Sequence, residues 1–288
     1  MLRDRYRVIV QTDWDGTRAD ALVALHAFRS AASVAAFHET LRRPIAVVLT
    51  GTDLYRDLAK ASGASESIEI AKRIVVLQDD ALGLLKPSWR AKCDVIFQSA
   101  RFLRHRQHAQ GFLDCAVVGH LRQEKDPATV FAAIEALPPE LPIRIRHVGA
   151  PLDAALGHAA RALARRDVRY RYHGALPHGP TRALLAASDL LIHPSTVEGG
   201  ANVIVEAITS GTAVIASRIS GNLGMLGPDY PGYFEVRHGK ALADLMVRAW
   251  EDSRYVDRLK TACNKRKPLF HPRSEAQAVK RLVQRLLV

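Results

Sequence analysis

Short runs of aliphatic and β-branched residues punctuate this chain from end to end, and they dictate what it can fold into. Val8-Ile9-Val10, Ala21–Leu25, Ile45–Leu49, Ile74–Leu77 and Val95-Ile96-Phe97 form a first set. Ala116–Val118, Ile143–Ile145, Val168–Tyr172, Leu190–Ile192 and Ala213–Ala216 form a second. Most are continuously apolar rather than alternating, the pattern of strands covered by helices on both faces. Helical segments separate them, and strand–helix alternation over this length builds parallel sheets of the doubly wound kind. Two sets predict two α/β domains, in line with 288 residues at ~150 per domain.

The first domain is expected over residues 1–100 and the second over 101–270, with a helix over 271–288 packing back on the first. The boundary falls in the basic stretch Arg101–Gly111, which has no helical period. A solvated linker accounts for that stretch better than a nucleic-acid contact does. Within Ser274–Leu287, Ala278, Leu282, Val283 and Leu286 recur near helical spacing, after Pro268 and Pro272 end the preceding helix.

An apolar content of 48% supplies a core and excludes disorder, collagen and coiled coil as the main architecture. The 41 Lys and Arg against 29 Asp and Glu leave a net charge of +12. That favours an anionic partner: nucleic acid, an acidic membrane surface or a phosphorylated small molecule. Cys93, Cys115 and Cys263 are far apart, which speaks for a reducing compartment and against a zinc site or disulfide framework. The histidines show no H-E-x-x-H spacing. No run approaches the ~18 apolar residues of a membrane span, and the N-terminus lacks a signal-peptide apolar region. The expectation is a soluble, cytoplasmic protein without a transmembrane segment.

The segment His193–Ala207 carries the strongest chemical signal. It follows the buried run ending at Ile192, passes through Gly199 and Gly200, and enters a helix that stops at Gly211. The glycines permit close backbone approach, and the amides at the helix start point toward an anion. Glu198 stands in the loop and Glu206 about one turn into the helix. Two carboxylates around an anion-binding turn suit a ligand with phosphates in its middle and hydroxyls at both ends, the shape of a nucleotide sugar.

Here the chain resembles the retaining GT-B glycosyltransferases of group 1 (family 4). Glu198 to Glu206 matches that family's E-x7-E element, set between "SDLLIHPS" and "EAITSGTAVIAS" and preceded by His173-Gly174-Ala175-Leu176-Pro177. Val117–Asp126 matches the strand–loop–helix that holds the donor diphosphate, with Lys125 at the family's lysine position. His120 occupies the usual arginine position. Either His120 is protonated by the phosphates or Arg122 replaces the guanidinium; a permanently charged, bidentate Arg122 is favoured. "DWDG", "LVALHAFRSA", "VVLTGTDLY", "VVGHLRQEKDP" and "SGNLGMLGPDYPGYF" further resemble the selenosugar synthase family of selenoneine biosynthesis. That resemblance implies transfer of N-acetylglucosamine from a UDP donor to selenophosphate. Against the family pattern, Met1–Arg7 looks like the end of a first helix, so the opening strand and its loop are expected to be missing.

The resemblance implies two Rossmann-like domains facing a cleft. Glu206 would hold the ribose, and Lys125 with Arg122 the diphosphate. Gly199, Gly200, Ala201, Asn202, Val203, Gly119, His120, Gly174, Ala175 and Leu176 would complete the donor site. Glu198 would orient the transferred sugar. In the first domain, His26, Arg29, Ser30, Thr50, Thr52 and Asp53 follow strand ends, where open α/β sheets bind ligands. They would suit a phosphate-bearing acceptor, with His26 as orienter, although Ser30 and Asp53 also suit plain helix capping. Asp13-Trp14-Asp15 matches a metal-binding D-x-D, but GT-B enzymes neutralise the leaving diphosphate with cations and a helix N-terminus, so neither a metal nor a cofactor is expected. The rival functions are transfer to an alcohol or lipid, a UDP-N-acetylglucosamine 2-epimerase, and a non-catalytic binding protein. No nucleic-acid partner is expected, because basic–aromatic interleaving is absent.

Overall fold

The computed structural model describes residues 1–58, 62–105 and 111–288. Two compact units divide it: Met1–Ser99 with Glu198–Gly200 and Leu269–Val288, and Ala100–Val197 with Ala201–Pro268.

The first unit is built on strands β1 (Leu22–Leu25), β2 (Ile45–Val48), β3 (Arg73–Val76) and β4 (Cys93–Val95), paired in parallel in that order. Its helices are α1 (Ala31–Leu41), α2 (Ser62–Ile70) and the short α3 (Pro87–Arg90). The doubly apolar strand pattern has its cause in the packing. Ile45, Val47, Ile74 and Val76 bury against Val34, Phe37, Ile68 and Trp89, while Ala46, Val75 and Ile96 bury on the opposite face. Val8-Ile9-Val10 forms no strand: Ile9 and Val10 are solvent-exposed, and among the described residues no strand pairs with them. Three apolar residues without a sheet neighbour bury too little to offset the ordering of their backbone. The final strand ends at Val95, so Ile96 and Phe97 lie just beyond it.

The second unit holds β5 (Leu113–Val118), β6 (Ile143–Val148), β7 (Tyr170–Gly174), β8 (Leu190–His193), β9 (Ala213–Ser217) and β10 (Tyr233–Phe234). They pair in the order β10-β9-β8-β5-β6-β7, all parallel. The helices are α4 (Pro127–Ala136), α5 (Ala154–Arg166), α6 (His178–Ala186), α7 (Asn202–Ser210), α8 (Ser220–Leu226), α9 (Gly239–Glu251) and α10 (Ser253–Arg266). The two-residue β10 was too short for its sequence to announce. Part of the basic stretch after Ala100 lies outside the described residues. In the part described, Arg101–Arg104 are exposed, as expected of a solvated stretch, while the backbone is held to the second unit: Leu103 N–H donates to Thr209 O at 3.2 Å, and Arg182 Nη2 donates to Arg101 O at 2.8 Å.

The closing helix, α11 (Pro272–Leu287), belongs to the first unit. Pro272 opens it at the first helical position, where the missing N–H costs nothing. Leu282 and Leu286 pack on Ala46 and Val75, and Lys72 Nζ donates to Leu286 O at 3.2 Å. Among the described residues, no helix is long and apolar enough to cross a membrane.

The β5–β6 pair is locked by charge as well as by its ladder. Fully buried Asp114 accepts from Arg144 Nη2 at 2.6 Å and from Arg146 Nε and Nη2 at 3.0 and 2.8 Å. Removing the carboxylate leaves two guanidinium groups without their counter-charge. Asp114→Ala is expected to lower the unfolding free energy by about 3–5 kcal/mol, read from urea denaturation; a loss comparable to that of an exposed ion pair would show the network to be dispensable.

Candidate active site

The strand order places a switch point at β5 and β8. The chain leaves β5 toward β6 and β7 on one side and returns to β8 on the other. Loops diverge there at the carboxyl ends of the strands, the place where open α/β sheets bind ligands.

After β5, backbone contacts fix the loop tightly. Gly119 N–H donates to Val148 O and Leu121 N–H to Ala150 O, both at 2.9 Å. A Cβ on Gly149 would lie 1.9 Å from Gly119 O, so only glycine lets these two loops approach. Leu121 is buried as the anchor. Around it, His120 and Arg122 stay exposed. His120 Nδ1 accepts the Ala150 N–H at 3.0 Å, so that nitrogen carries no proton and the ring offers Nε2–H as a donor. The loop's permanent cations are therefore Arg122, whose Nε is 4.0 Å from Glu124, and Lys125, whose aliphatic stem lies over Gly119. Asp126, at φ 44°, receives the Thr129 hydroxyl and leads into Pro127 at the start of α4.

The loop after β8 is tied to this one. Thr196 N–H donates to Glu124 O at 2.9 Å, bringing the two motifs singled out in the sequence together across the switch point. Asn222 Nδ2 holds Ser217 O and Oγ at 2.9 and 3.1 Å, and Ser217 Oγ donates to Ser195 O, bracing the loop from beneath. Helix α7 starts at Asn202 after buried Ala201, and stops at Gly211, φ 78°. The Asn202 and Val203 amides stand in its first turn and have no acceptor within the helix.

Glu206, on α7, is already oriented. Its Oε1 receives His178 Nε2 at 2.7 Å, with Arg182 Nη1 at 3.8 Å. Both partners lie on α6, four residues apart on one helical face. Arg182 is buried and also donates to Ser210 Oγ at 3.2 Å. Burial pushes its guanidinium down from the ordinary arginine range, and the Glu206 carboxylate pulls it back up. His178 and Arg182 were not singled out from the sequence. Their i, i+4 spacing directly after His173–Pro177 was the available signal. Gly174, at φ 68°, ends β7, and its carbonyl accepts Gly149 N–H at 2.8 Å; Ala175 and Leu176 follow in the turn to α6.

Glu198, Gly199 and Gly200 group with the first unit. Their glycines have a different cause from the one read in the sequence. A Cβ on Gly199 would stand 2.2 Å from Gly51 N, and one on Gly200 would stand 2.7 Å from Leu77 Cβ. The close approach they permit is to protein backbone and core. Glu198 is half-buried beside them.

That contact leads directly to the first-unit residues. His26, at φ 82°, follows β1, and its Nδ1 lies 2.7 Å from Asp53 Oδ1. Its Nε2 lies 2.8 Å from Thr52 Oγ1. Asp53 is fully buried and also receives Thr50 N–H at 2.8 Å, the Thr50 hydroxyl at 3.2 Å and Phe28 N–H at 3.3 Å. It can act only through the groups it holds. Thr50 and Thr52 spend hydroxyl contacts inside this network. Ser30 Oγ donates to Leu25 O at 2.9 Å and makes no side-chain cap of α1. Arg29 is exposed on the same turn. Asp15 of the D-x-D sequence instead closes a turn, accepting Thr17 N–H at 2.9 Å and the Thr17 hydroxyl at 2.6 Å. Those bonds, with one from Gln11, pull its carboxyl down to about 2.

These two parallel-sheet units and the loop arrangement at the β5–β8 switch point define a GT-B fold. The sequence profile of the glycosyl transferases group 1 matches residues 102–266, more than half of the 288. The chain belongs to this family of glycosyltransferase enzymes. Solved structures agree on the fold. The Anabaena protein HepE in complex with UDP superposes with a TM-score of 0.73 at 16% identity, covering 92% of this chain and 79% of that one. Sucrose-phosphate synthase from Thermosynechococcus elongatus gives 0.75 at 16% identity, covering 93% and 73%. The pneumococcal O-GlcNAc transferase GtfA, in complex with UDP and GlcNAc, gives 0.70 at 17% identity, covering 92% and 57%. No curated protein sequence matches the chain.

One buried titratable group supports the loop from below. His147 accepts the Tyr170 hydroxyl at Nδ1 (2.8 Å) and faces Gly119 O with Nε2 (3.3 Å). Burial pulls its imidazole down from 6.5 to about 4. The unfolded chain therefore binds a proton between those values that the folded chain refuses, so stability falls as pH drops through that window. The contribution is on the order of 3 kcal/mol across it. Urea midpoints of the native protein should fall from pH 6.5 toward 4, and His147→Gln should flatten that slope; an unchanged slope would contradict the assignment.

Proposed function

We propose that this glycosyltransferase uses a UDP-sugar as donor. What carries the reading is Glu206, held by His178 and Arg182 beside the first turn of α7. A carboxylate so fixed accepts hydrogen bonds from the two ribose hydroxyls of a nucleotide. The UDP bound in the HepE and GtfA structures supports that choice of nucleotide. Arg122 and Lys125, with His120 Nε2–H as a neutral donor, face the diphosphate. The Ala201–Val203 backbone adds amides, and Gly119 and Gly174–Leu176 provide the surrounding loop backbone. Glu198 orients the sugar.

The chemistry follows from charge. As the bond between the anomeric carbon and the diphosphate breaks, negative charge grows on the β-phosphate. Fixed cations and amide dipoles stabilise that charge more than they stabilise the bound ground state, which lowers the barrier. Turnover by this route draws on the chain's own cations at the diphosphate.

For the finer specificity we propose N-acetylglucosamine as the transferred sugar and selenophosphate as acceptor, a reading that rests on the sequence resemblance. The first unit supports a small anionic acceptor through Arg29, exposed on the turn from β1 to α1. His26 orients the acceptor and a dedicated base is unnecessary for so strong a nucleophile.

Titrating UDP alone into two variants tests the donor assignment. Glu206→Ala should weaken UDP by about 1.5–3 kcal/mol, the cost of a charged hydrogen bond. Glu198→Ala should leave UDP affinity near that of the native protein, because UDP lacks the sugar it contacts. Equal losses would overturn the division of roles.

A further inference from the structure

Three ring side chains of β6 and β7 tie down the backbone of the loop that follows β5. The ladder sets His147 of β6 beside Tyr172 of β7, and after an irregularity it sets Val148 beside Gly174. The His147 ring stands edge-on to both tyrosines, 6.0 Å from the centre of Tyr170 and 5.9 Å from that of Tyr172. Phe131 of α4 meets Tyr170 edge-on in turn, at 5.8 Å. His147 and Tyr170 are each 1% exposed, so they act only through the groups they hold.

Their polar atoms form a directed chain. A carbonyl only accepts, so His147 Nε2, 3.3 Å from Gly119 O, carries the ring proton. Burial keeps the imidazole neutral, which leaves Nδ1 bare to accept the Tyr170 hydroxyl at 2.8 Å. Burial also pushes the Tyr170 phenol up, so that it stays a donor. Beside this chain, the Tyr172 hydroxyl donates to Gly149 O at 2.8 Å. The two carbonyls so held belong to the glycines whose backbones touch, since a Cβ on Gly149 would lie 1.9 Å from Gly119 O. Backbone packed that closely leaves no slack for the Gly119 peptide to turn. A Cβ on Gly119 would meet the Lys125 stem at 3.6 Å, so the lysine follows this peptide wherever it points.

We propose that His147, with Tyr170 behind it and Tyr172 beside it, is a positioning residue for sugar transfer: it orients the Gly119 peptide and thereby the loop that presents Arg122 and Lys125 to the diphosphate. The proposal rests on the UDP-donor reading above. Without the Nε2–H, the Gly119 carbonyl loses its side-chain donor and the loop is free to turn away. Cations held in the wrong direction lose their grip on a phosphate even though none of them has been removed. A misplacement of about 1 Å is enough to matter at a reacting centre.

Titrating UDP and uridine separately into the full chain, by calorimetry, distinguishes this role from a general loss of packing, because uridine carries no phosphate. The native chain should bind UDP more tightly than uridine. His147→Phe keeps a ring and removes both hydrogen bonds; it should weaken UDP about tenfold and leave uridine unchanged. His147→Gln has a side-chain amide that can still donate to Gly119 O, and it should recover most of the lost UDP affinity. If His147→Phe fails to fold, Tyr170→Phe, which removes a single oxygen, serves in its place, with the same selective loss expected. Long-range proton–nitrogen NMR spectra of the native chain should place the His147 ring proton on Nε2. Native UDP affinity in the folded phenylalanine variant, equal losses for UDP and uridine, no recovery in His147→Gln, or a ring proton on Nδ1 would each overturn the positioning role. A native chain that binds UDP no more tightly than uridine would instead overturn the donor reading, and this proposal with it.

Discussion

The hydrogen bond from Thr196 N–H to Glu124 O closes the point at which the second sheet changes direction. Both strands beneath it, β5 and β8, are buried, and neither can lend a side chain to a ligand without opening the core. Side chains can reach a ligand from the loops at their carboxyl ends, and that bond ties the two loops together. The Gly119–Gly149 approach fixes the same surface from the β6 side. Arg122, Lys125 and the first amides of α7 inherit their positions from these backbone contacts, which are rigid in a way that long cationic side chains on a free surface are not.

Electrostatics then divides the labour. Glu206 is kept in place by two groups of α6, and in the proposed reading it recognises the neutral, hydroxyl-bearing portion of the nucleotide. In the same proposal the negative charge of the diphosphate is met by Arg122, Lys125 and helix amides. His120 Nδ1 is taken by the Ala150 amide, which leaves Nε2 to face the loop's surroundings. In the proposed site, Arg122 supplies two residues on the guanidinium that the histidine position lacks. Preorganised donors of this kind need no rearrangement at the moment of bond cleavage.

Much of this was legible in the residues. Continuous apolar runs announced strands covered on both faces, and the packing of Ile45 and Val47 against one layer and Ala46 and Val75 against another is the reason. Gly211 marked the end of α7 because a left-handed φ was needed there. Val8-Ile9-Val10 misled, because an apolar triplet carries no information about whether a neighbour exists to pair with it. The glycines after Glu198 were legible as sites of close approach, but what they approach depends on residues far away in sequence, Gly51 and Leu77. For the same reason the pairing of Glu206 with His178, and of His26 with Asp53 and Asp57, was invisible until the fold brought them together.

The central claim is sugar transfer from a UDP donor to a small anionic acceptor. Incubating the purified chain with UDP-N-acetylglucosamine, with and without selenophosphate, and following UDP release with mass analysis of the sugar product tests it most directly. The account predicts UDP release that depends on selenophosphate and a product in which selenium replaces UDP at the anomeric carbon. UDP release that ignores selenophosphate, or a sugar attached only to a hydroxyl acceptor supplied in parallel, would contradict it.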